Sequence, residues 1–374
     1  MAHQASPLYL GLISGTSADG IDVALVRFGS QPEVVTARTF AYPEALRAGV
    51  VALARNAAAI TLDAYGHLDA AIGACFADAA LALLRDARVD AREVAALGSH
   101  GQTVCHRPNG PHPFTLQIGD PNVIAERTGV VTVADFRRAD LAAGGQGAPL
   151  LPALHVAMLA DVATPRAILN LGGIANVTLL VPGQPVLGFD TGPAKCLLDA
   201  WALRHRGTPR DEGGAWASGG RTDAALLQRL IGDPYFALPP PKSTGREHFN
   251  LDWLHPQLPA GVADADVQAT LLQLSARSVA ESLRTHAPGV REVYACGGGV
   301  HNGALMDALC GELPDAKVDT TAALGLDPDF VEAVGFAWLA RARLEHAPGN
   351  LPSVTGARGP RVLGGIYAGS KRLS

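Results

Sequence analysis

The stretch at residues 9–28, YLGLISGTSADGIDVALVRF, most strongly constrains how this chain folds. Two apolar runs, at residues 9–13 and 21–28, flank a short loop of small and hydroxylated residues that contains Asp19-Gly20. An Asp-Gly pair readily supplies the positive φ angles of a tight turn, so the pattern predicts a β-hairpin. The loop carries little side chain, so its backbone N–H groups can bind phosphate oxygens, and Asp19 can hold a metal through water. An ordinary hairpin between core strands is the alternative, because these residues also favour turns for purely conformational reasons.

Two further glycine clusters repeat this plan later in the chain. Residues 167–180, AILNLGGIANVTLL, read as a strand that ends near Asn170, a Gly172-Gly173 turn and a second strand from Asn176. The third cluster, ACGGGVHN at residues 295–302, follows an apolar strand and precedes a helix. Each cluster alone is weak, but the ordered set suggests two similar half-domains that bind one nucleotide.

Composition limits the possible partners. A chain of 374 residues is long enough for two domains, and 48% hydrophobic with 17% charged residues indicates a compact protein. The 35 carboxylates outnumber 30 lysines and arginines without a dense basic run, which argues against a nucleic-acid partner and favours a small molecule. Neither a signal-peptide pattern nor an uninterrupted apolar stretch of roughly 18 residues is visible, so we expect a cytoplasmic protein without a membrane partner. Five scattered cysteines without Cys-x-x-Cys spacing argue against structural zinc or a disulfide framework.

Five polar residues are candidates for chemistry. A loop with Gln102 and Thr103 is expected after the strand at residues 94–98, where α/β proteins commonly bind ligands. Arg137 is either part of a solvated charge cluster or the fork for a substrate carboxylate. Asp190 is predicted at a strand-to-helix corner, either as a helix cap or as a general base. Glu332 lies in the first turns of a predicted helix at 328–346. It is either a site residue or a solvated glutamate that interacts favourably with the N-terminal end of the helix dipole.

Several reaction classes lack their motifs. The chain has no Gly-x-Ser-x-Gly elbow, His-Glu-x-x-His pair, Walker sequence or Rossmann fingerprint. Phosphoryl transfer needs positioned donors and Mg²⁺ rather than many reactive side chains. Glycine loops with one carboxylate for the acceptor nucleophile therefore favour a phosphotransferase.

Long motifs in order along the chain resemble the anhydro-N-acetylmuramic acid kinases. They are GLISGTSADGID (11–22), GSHGQTVCHRP (98–108), TLQIGDPNVIAERTG (115–129), VADFRRADLAAGGQGAPLLP (133–152), NLGGIANVT (170–178), GFDTGPAKCLLDAW (188–201), PKSTGREHFN (241–250), ACGGGVHN (295–302) and NLPSVTGA (350–357). That family belongs to the actin, hexokinase and Hsp70 superfamily. The resemblance implies an α/β fold of two ribonuclease H-like (actin/hexokinase-type) domains with a cleft between them. We expect the first domain at 1–137, completed by the tail at 358–374, and the second at 138–357.

The resemblance also implies an activity and its cofactors. Members open the 1,6-anhydro ring of anhydro-N-acetylmuramic acid with water and phosphorylate O6 with ATP and Mg²⁺, a step of bacterial cell-wall recycling. It implies a homodimer as well. Ala18 and Ala194 stand where relatives often have Leu and Gly, and neither departure removes a reactive group.

Individual roles follow from the same resemblance. Asp190 is expected to activate the attacking water, with Glu332 assisting; Gln102, Thr103 and Arg137 are expected to bind the sugar, Arg137 at its lactyl carboxylate. Asp190 is counted with the sugar-binding residues too, and Asp19 is the expected metal-binding residue. The expected nucleotide-binding residues are Gly15, Thr16, Ser17, Ala18, Asp19, Gly20, Ile21, Asp22, Asn170, Gly172, Gly173, Gly297, Gly298, Gly299 and Asn302.

Two other functions remain open from the sequence. A nucleotide-gated binding or assembly protein is one, because the superfamily includes actin-like filaments and chaperones; sugar-independent ATP consumption would favour it. A kinase for an ordinary amino sugar is the other, and it would incorporate no water at C1 of its product.

Overall fold

The computed structural model describes residues 6–15, 18–29, 32–55 and 61–369. Thr16 and Ser17, two of the predicted nucleotide-binding residues, lie outside the described residues. The strands are β1 (Leu8–Ser14), β2 (Ile21–Phe28), β3 (Pro32–Phe40), β4 (Val94–Arg107), β5 (Phe114–Ile118), β6 (Thr132–Ala134), β7 (Arg166–Leu171), β8 (Ile174–Leu180), β9 (Leu187–Pro193), β10 (Glu292–Cys296), β11 (Lys317–Thr320) and β12 (Gly365–Tyr367).

Helices connect many of these strands. They are α1 (Glu44–Arg55), α2 (Leu62–Ala87), α3 (Pro121–Thr128), α4 (Arg138–Ala142), α5 (Leu151–Leu159), α6 (Lys195–Arg206), α7 (Ala215–Ser218), α8 (Ala224–Ile231), α9 (Leu251–Leu254), α10 (Asp264–His286), α11 (Gly303–Glu312), α12 (Val331–Leu344) and α13 (Pro352–Thr355). Contacts between residues divide the chain into two compact units, residues 1–154 with 330–374 and residues 155–329.

The first unit is built on a sheet of order β12-β6-β4-β1-β2-β3, with β5 paired to β4. β1, β2 and β3 form an antiparallel meander, whereas β4 runs parallel to β1 and β6 runs parallel to β4. This is the strand order and direction of a ribonuclease H-like fold. The tail strand β12 pairs antiparallel with β6 at the edge of this sheet. The core of the first unit includes the fully buried residues Leu10, Ile21, Phe76 and Leu97.

The second unit repeats that arrangement. Its sheet has the order β11-β10-β7-β8-β9, in which β7, β8 and β9 are antiparallel and β10 and β11 continue parallel to β7. Helices α6 and α10 supply much of the core against the sheet, with Leu197, Leu274 and Val279 almost fully buried. Two ribonuclease H-like α/β units, the predicted fold class, are therefore confirmed.

The division between the units differs from the boundaries predicted at 137/138 and 357/358. Residues 138–154 and 330–357 belong to the first unit. A buried carboxylate explains part of this assignment: Asp140 accepts hydrogen bonds from Asn350 Nδ2 at 2.6 Å, Thr355 Oγ1 at 2.7 Å and the Gly147 N–H at 2.8 Å. The glycine-rich stretch at residues 144–149 is thus fixed inside the first unit.

Two strands are longer than predicted. β4 continues through residues 99–103, where a loop was expected, because Ser99 and Gln102 pair with β1 and β5 pairs with β4 from Gln102 onward. β9 continues through Asp190 to Pro193, so Asp190 lies within a strand and not at a strand-to-helix corner. Local irregularity hid both extensions: Gly101 has φ +71°, and the β8–β9 register shifts between Ala175 and Asn176. A helix-capping role for Asp190 is wrong for the same reason.

Helix α2 is long and apolar enough for a membrane span, with a mean hydropathy of 1.5 over its best window. Among the described residues it is the one helix that passes this test. Charged residues such as Asp69 and Asp78 interrupt it. Ile72, Phe76 and Leu83 pack into the core of the first unit, so α2 is built as a core helix.

Helix α12 lies directly on β1 and β4 because two glycines remove the side chains between them. A Cβ added to Gly11 would lie 1.8 Å from the Ala333 carbonyl oxygen, and one added to Gly98 would lie 2.0 Å from that of Phe336. These neighbours are backbone atoms, which cannot move aside as a side chain can. The close approach also brings Glu332, near the start of α12, to the first unit's sheet.

We predict that Gly98→Ala destabilises the protein by about 2–4 kcal/mol, since the added methyl group overpacks a helix–sheet contact. Gly66→Ala is the matched control: Gly66 lies in α2, and a methyl group added there would meet nothing within 4 Å, so this variant should gain about 0.5–1 kcal/mol. Urea unfolding followed by circular dichroism measures both. Equal midpoints for the two variants would contradict the packing argument.

Candidate active site

The β1–β2 loop of the first unit is held by hydrogen bonds rather than by an Asp-Gly turn. Among the described residues of this loop the positive φ is at Ala18, 52°, and a Cβ added to Gly20 would lie 2.6 Å from Thr39 Cγ2. The Gly15 carbonyl accepts from the Ala18 N–H at 3.0 Å, and Arg47 Nε donates to the Ala18 carbonyl at 3.2 Å. The predicted hairpin is confirmed, but the residue that carries its left-handed conformation differs.

Gln102 supports this loop from the neighbouring strand. Its Nε2 donates to the carbonyl oxygens of Gly15 at 3.1 Å and Thr103 at 3.3 Å, and the residue is only 1% exposed. Among the described residues its Oε1 is buried without a hydrogen-bond partner. The contact between Gln102 and the sugar therefore stays a prediction, and Oε1 is the atom expected to make it. Thr103 is half-buried and accepts a hydrogen bond from Gln117 Nε2 at 3.1 Å.

A second group in the first unit joins Arg137, His100 and Glu332. Arg137 Nε donates to His100 Nε2 at 3.0 Å, while His100 Nδ1 lies 3.0 Å from the Gly101 carbonyl oxygen. A carbonyl only accepts, so Nδ1 carries the proton and the imidazole is neutral. Burial lowers the pKa of His100 well below its usual range, and the Arg137 charge lowers it further.

Arg137 keeps its charge in this group. Burial lowers its pKa to about 10, which still leaves the guanidinium protonated at neutral pH, and Glu332 favours that charge. Burial raises the pKa of Glu332, repulsion from Asp22 adds to the effect, and Arg137 opposes it. Asp22 in turn accepts a 2.6 Å hydrogen bond from Thr39 Oγ1. The structure thus brings three predicted site residues together: Asp22, Arg137 and Glu332.

The other predicted residues of the β1–β2 segment differ in exposure. The Ile21 side chain is fully buried in the core, so only its backbone can reach a ligand. The Asp19 side chain is 72% exposed, and its Oδ1 lies 3.3 Å from Arg47 Nη2. No cluster of three or more metal-ligating His, Cys, Asp or Glu side chains occurs among the described residues. Mg²⁺ in phosphoryl-transfer sites needs only one or two carboxylates besides water and phosphate, so Asp19 is a donor of the suitable kind.

In the second unit, three predicted or neighbouring polar residues lie in one row across the sheet. Asn170 is paired with Asn176, and Asn176 is paired with Asp190. Residues paired directly across neighbouring strands point to the same face. Asn170 and Asp190, far apart in sequence, are therefore carried on one face of one rigid sheet.

Asp190 is held by groups around three of its polar atoms. The Thr244 N–H donates to its carboxylate Oδ2 at 3.0 Å, its own N–H donates to the Lys242 carbonyl at 3.1 Å, and Tyr235 OH donates to its carbonyl at 2.7 Å. Burial raises the pKa of Asp190 to about 6; Glu247 raises it too, while the Thr244 N–H and Lys242 lower it. A carboxylate that is ionised at neutral pH but basic enough to accept a proton suits a general base.

The two glycine clusters of the second unit meet beside Asn170. A Cβ added to Gly297 would lie 2.3 Å from Asn170 Oδ1, and one added to Gly299 would lie 2.5 Å from Leu171 Cβ. The carbonyl oxygens of Gly172 and Gly173 accept hydrogen bonds from the start of α6, which fixes the turn. The structure thus brings two of the predicted nucleotide-binding segments together within the second unit.

Two cations flank these glycines. A methyl group on Gly173 would lie 3.3 Å from Arg246 Nη2, and one on Gly298 would lie 2.8 Å from Lys195 Nζ. Positive charge beside a bare backbone loop is suited to phosphate. At the end of the third cluster, Asn302 Oδ1 accepts from the Leu305 N–H at 3.0 Å and so caps α11. Its predicted contact with adenosine remains a prediction.

Sequence reasoning missed the supporting residues Lys195, Tyr235, Lys242, Thr244 and Arg246. Three of them, Lys242, Thr244 and Arg246, stand in the motif PKSTGREHFN. The density of basic and hydroxylated residues after a proline-rich run was the available signal. Tyr235 gave no signal, because its role depends on a contact 45 residues away in sequence.

The chain is similar to known proteins over nearly its whole length. The family profile described as Anhydro-N-acetylmuramic acid kinase matches residues 7–369. Among solved structures, a ROK hexokinase from Thermus thermophilus aligns at 15% identity with a TM-score of 0.37, covering 91% of this chain and 100% of that one. A likeness this weak adds nothing to the assignment.

Three relatives named Anhydro-N-acetylmuramic acid kinase are much more similar. The protein of Xanthomonas axonopodis pv. citri (strain 306) is 57% identical over 98% of this chain and 100% of its own length. Those of Xylella fastidiosa (strain Temecula1 / ATCC 700964) and Coxiella burnetii (strain Dugway 5J108-111) are 52% and 49% identical, each over 97% of this chain and 96% and 98% of their own. The chain therefore belongs to the anhydro-N-acetylmuramic acid kinase family.

Proposed function

We propose that this protein is an ATP-dependent kinase that opens 1,6-anhydro-N-acetylmuramic acid with water and phosphorylates O6. The products are N-acetylmuramic acid 6-phosphate and ADP, and the reaction serves peptidoglycan recycling. Family membership supports the reaction class, and the observation that carries the mechanism is Asp190, a carboxylate with a pKa of about 6 fixed by backbone contacts. A cytoplasmic location and a homodimer stay predictions.

In the proposed mechanism Asp190 removes a proton from water as the water oxygen attacks C1 of the sugar. The C1–O6 bond breaks, O6 forms a bond to the γ-phosphorus, and ADP leaves. Breaking the strained bridge while O6 is captured avoids a free alkoxide leaving group, so the two steps assist each other. The proton taken by Asp190 passes to solvent after product release. Glu332, whose carboxylate is close to Arg137 and Asp22 in the first unit, is proposed to assist.

The remaining residues have binding roles in this proposal. Arg137 is proposed to bind the lactyl carboxylate, because its guanidinium remains charged and only Nε is used by His100. The loops at 15–22, 170–176 and 297–302 are proposed to bind ATP, with Lys195 and Arg246 adding positive charge for its phosphates. Asp19 is proposed to hold Mg²⁺ through water, and the ion when bound neutralises phosphate charge.

The direct test is mass spectrometry of the product formed by purified protein, Mg-ATP and anhydro-N-acetylmuramic acid. We expect one new species that has gained the mass of water and of a phosphoryl group. A phosphorylated product without added water, or ADP formation that does not depend on sugar, would contradict the proposal.

Asp190→Asn should lower kcat by about 10²–10⁴-fold, because the amide cannot accept the proton from water. Its oxygen can still accept the Thr244 N–H, so folding and ATP binding should be retained. Asp252→Asn, at an exposed carboxylate of the same unit, is the control and should stay close to wild type. Steady-state kinetics and ATP titration measure both variants; a near-wild-type rate for Asp190→Asn would remove Asp190 from its role.

Arg137→Ala should raise the KM for the sugar roughly ten- to hundredfold through loss of a charge-assisted contact, and leave ATP binding unchanged. The neighbouring Arg138→Ala is the matched control, since Arg138 is exposed and lies 3.7 Å from Asp135 in a weak ion pair. Sugar binding by calorimetry checks the result. An unchanged sugar affinity in Arg137→Ala would refute the assigned contact.

A further inference from the structure

Lys242 is a buried cation to which the proposed mechanism assigns no role. The residue is 9% exposed, and its Nζ donates to the backbone carbonyl oxygens of Phe236 at 3.0 Å and Tyr235 at 3.4 Å. Nζ also lies 4.9 Å from the centre of the Tyr235 ring, close enough for a cation–π interaction. A buried charge is costly unless it is compensated, so its position calls for a physical reason.

The contacts of Lys242 lead to Asp190 by two routes. Through its backbone, the Lys242 carbonyl accepts the Asp190 N–H at 3.1 Å. Through its side chain, the ammonium group fixes the backbone at residues 235–236, and Tyr235 OH then donates to the Asp190 carbonyl at 2.7 Å. The N–H and the carbonyl oxygen of Asp190 are therefore both hydrogen-bonded to groups that Lys242 supplies or fixes.

We propose that Lys242 is a positioning residue for the reaction: its ammonium group fixes the backbone at residues 235–236 and so holds Tyr235 OH against the carbonyl oxygen of Asp190. The ammonium charge has a second effect, because it opposes protonation of the Asp190 carboxylate. The inference rests on the proposed function, in which Asp190 is the general base. It assigns a reason for burying a lysine among aromatic rings in the second unit.

The charges around the two residues define the expected sign. Asp190 faces Lys242, the repelling Glu247 and the phenol of Tyr235. Lys242 faces Asp190, Tyr235 and His286, whose pKa is lowered first by burial and then by Lys242, so that His286 is neutral at pH 7. Removing the Lys242 charge takes away an attraction for the Asp190 carboxylate. The pKa of Asp190 then rises above about 6. As the pH falls, Asp190 becomes protonated and stops acting as a base at a higher pH than in wild type.

The experiment compares the pH dependence of kcat between pH 5 and 9, at saturating sugar and Mg-ATP, in wild type, Lys242→Met and Tyr235→Phe. Wild type should lose activity below about pH 6. In Lys242→Met we expect this acid limb to move upward by about half a pH unit or more, with kcat at pH 7 reduced roughly tenfold. Tyr235→Phe loses the hydroxyl that donates to the Asp190 carbonyl but keeps the Lys242 charge. Its kcat should therefore fall roughly tenfold, while the acid limb stays at the wild-type pH.

Glu247→Gln is the matched control of opposite sign, because it removes the repelling charge and should move the limb to lower pH. A folded Lys242→Met whose acid limb coincides with that of wild type overturns the inference. If circular dichroism shows that Lys242→Met is unfolded, Tyr235→Phe decides. An unchanged kcat in Tyr235→Phe overturns the proposed positioning of Asp190 through Tyr235. Failure of the proposed function is distinguishable, since wild type itself would then give no sugar phosphate.

Discussion

The parallel pairing of the first strand with the fourth strand in each unit is the constraint on which the site depends. A hairpin turn follows the carboxyl end of β1 or β7, and a parallel strand ends at the same edge of the sheet. Residues distant in sequence must therefore meet there. Gln102 reaches the Gly15 carbonyl in the first unit, and Gly297 packs against Asn170 in the second. Glycine is needed at Gly297 because its φ is +79° and an added Cβ would lie 2.3 Å from Asn170 Oδ1, and the same lack of a side chain makes a loop suitable for phosphate.

Rigidity of the sheet also bears on the proposed role of Asp190 as a general base. Asp190 lies inside β9, and its N–H, its carbonyl and one carboxylate oxygen each have a partner from residues 235–244. Partial burial brings its pKa to about 6, while Thr244 and Lys242 prevent a larger rise. A base placed in this way needs little reorganisation when a proton moves. In the first unit a different balance is found, since Arg137 stays charged beside a neutral His100 and a Glu332 whose pKa is raised.

Much of this arrangement could be predicted from the sequence where local signals agree. The hairpins, the glycine loops and the helices follow alternating or helical apolar spacing over long segments. Strand continuation through residues 99–103 and 190–193 could not, because polar residues, Gly101 and a register shift imitate a loop. The unit boundaries were also missed, since they depend on the buried bonds of Asp140 to Asn350 and Thr355, more than 200 residues away. Lys242 and Tyr235 act through contacts that no spacing reveals.

The central claim is that water opens the anhydro bridge in the same event that phosphorylates O6. The most direct measurement is a reaction in ¹⁸O-labelled water, reduced with borohydride immediately after quenching so that anomeric exchange cannot scramble the label. Mass spectrometry of the fragments should place one ¹⁸O on C1 of the sugar and none in the phosphoryl group. An unlabelled sugar, or label found in phosphate, would contradict the account.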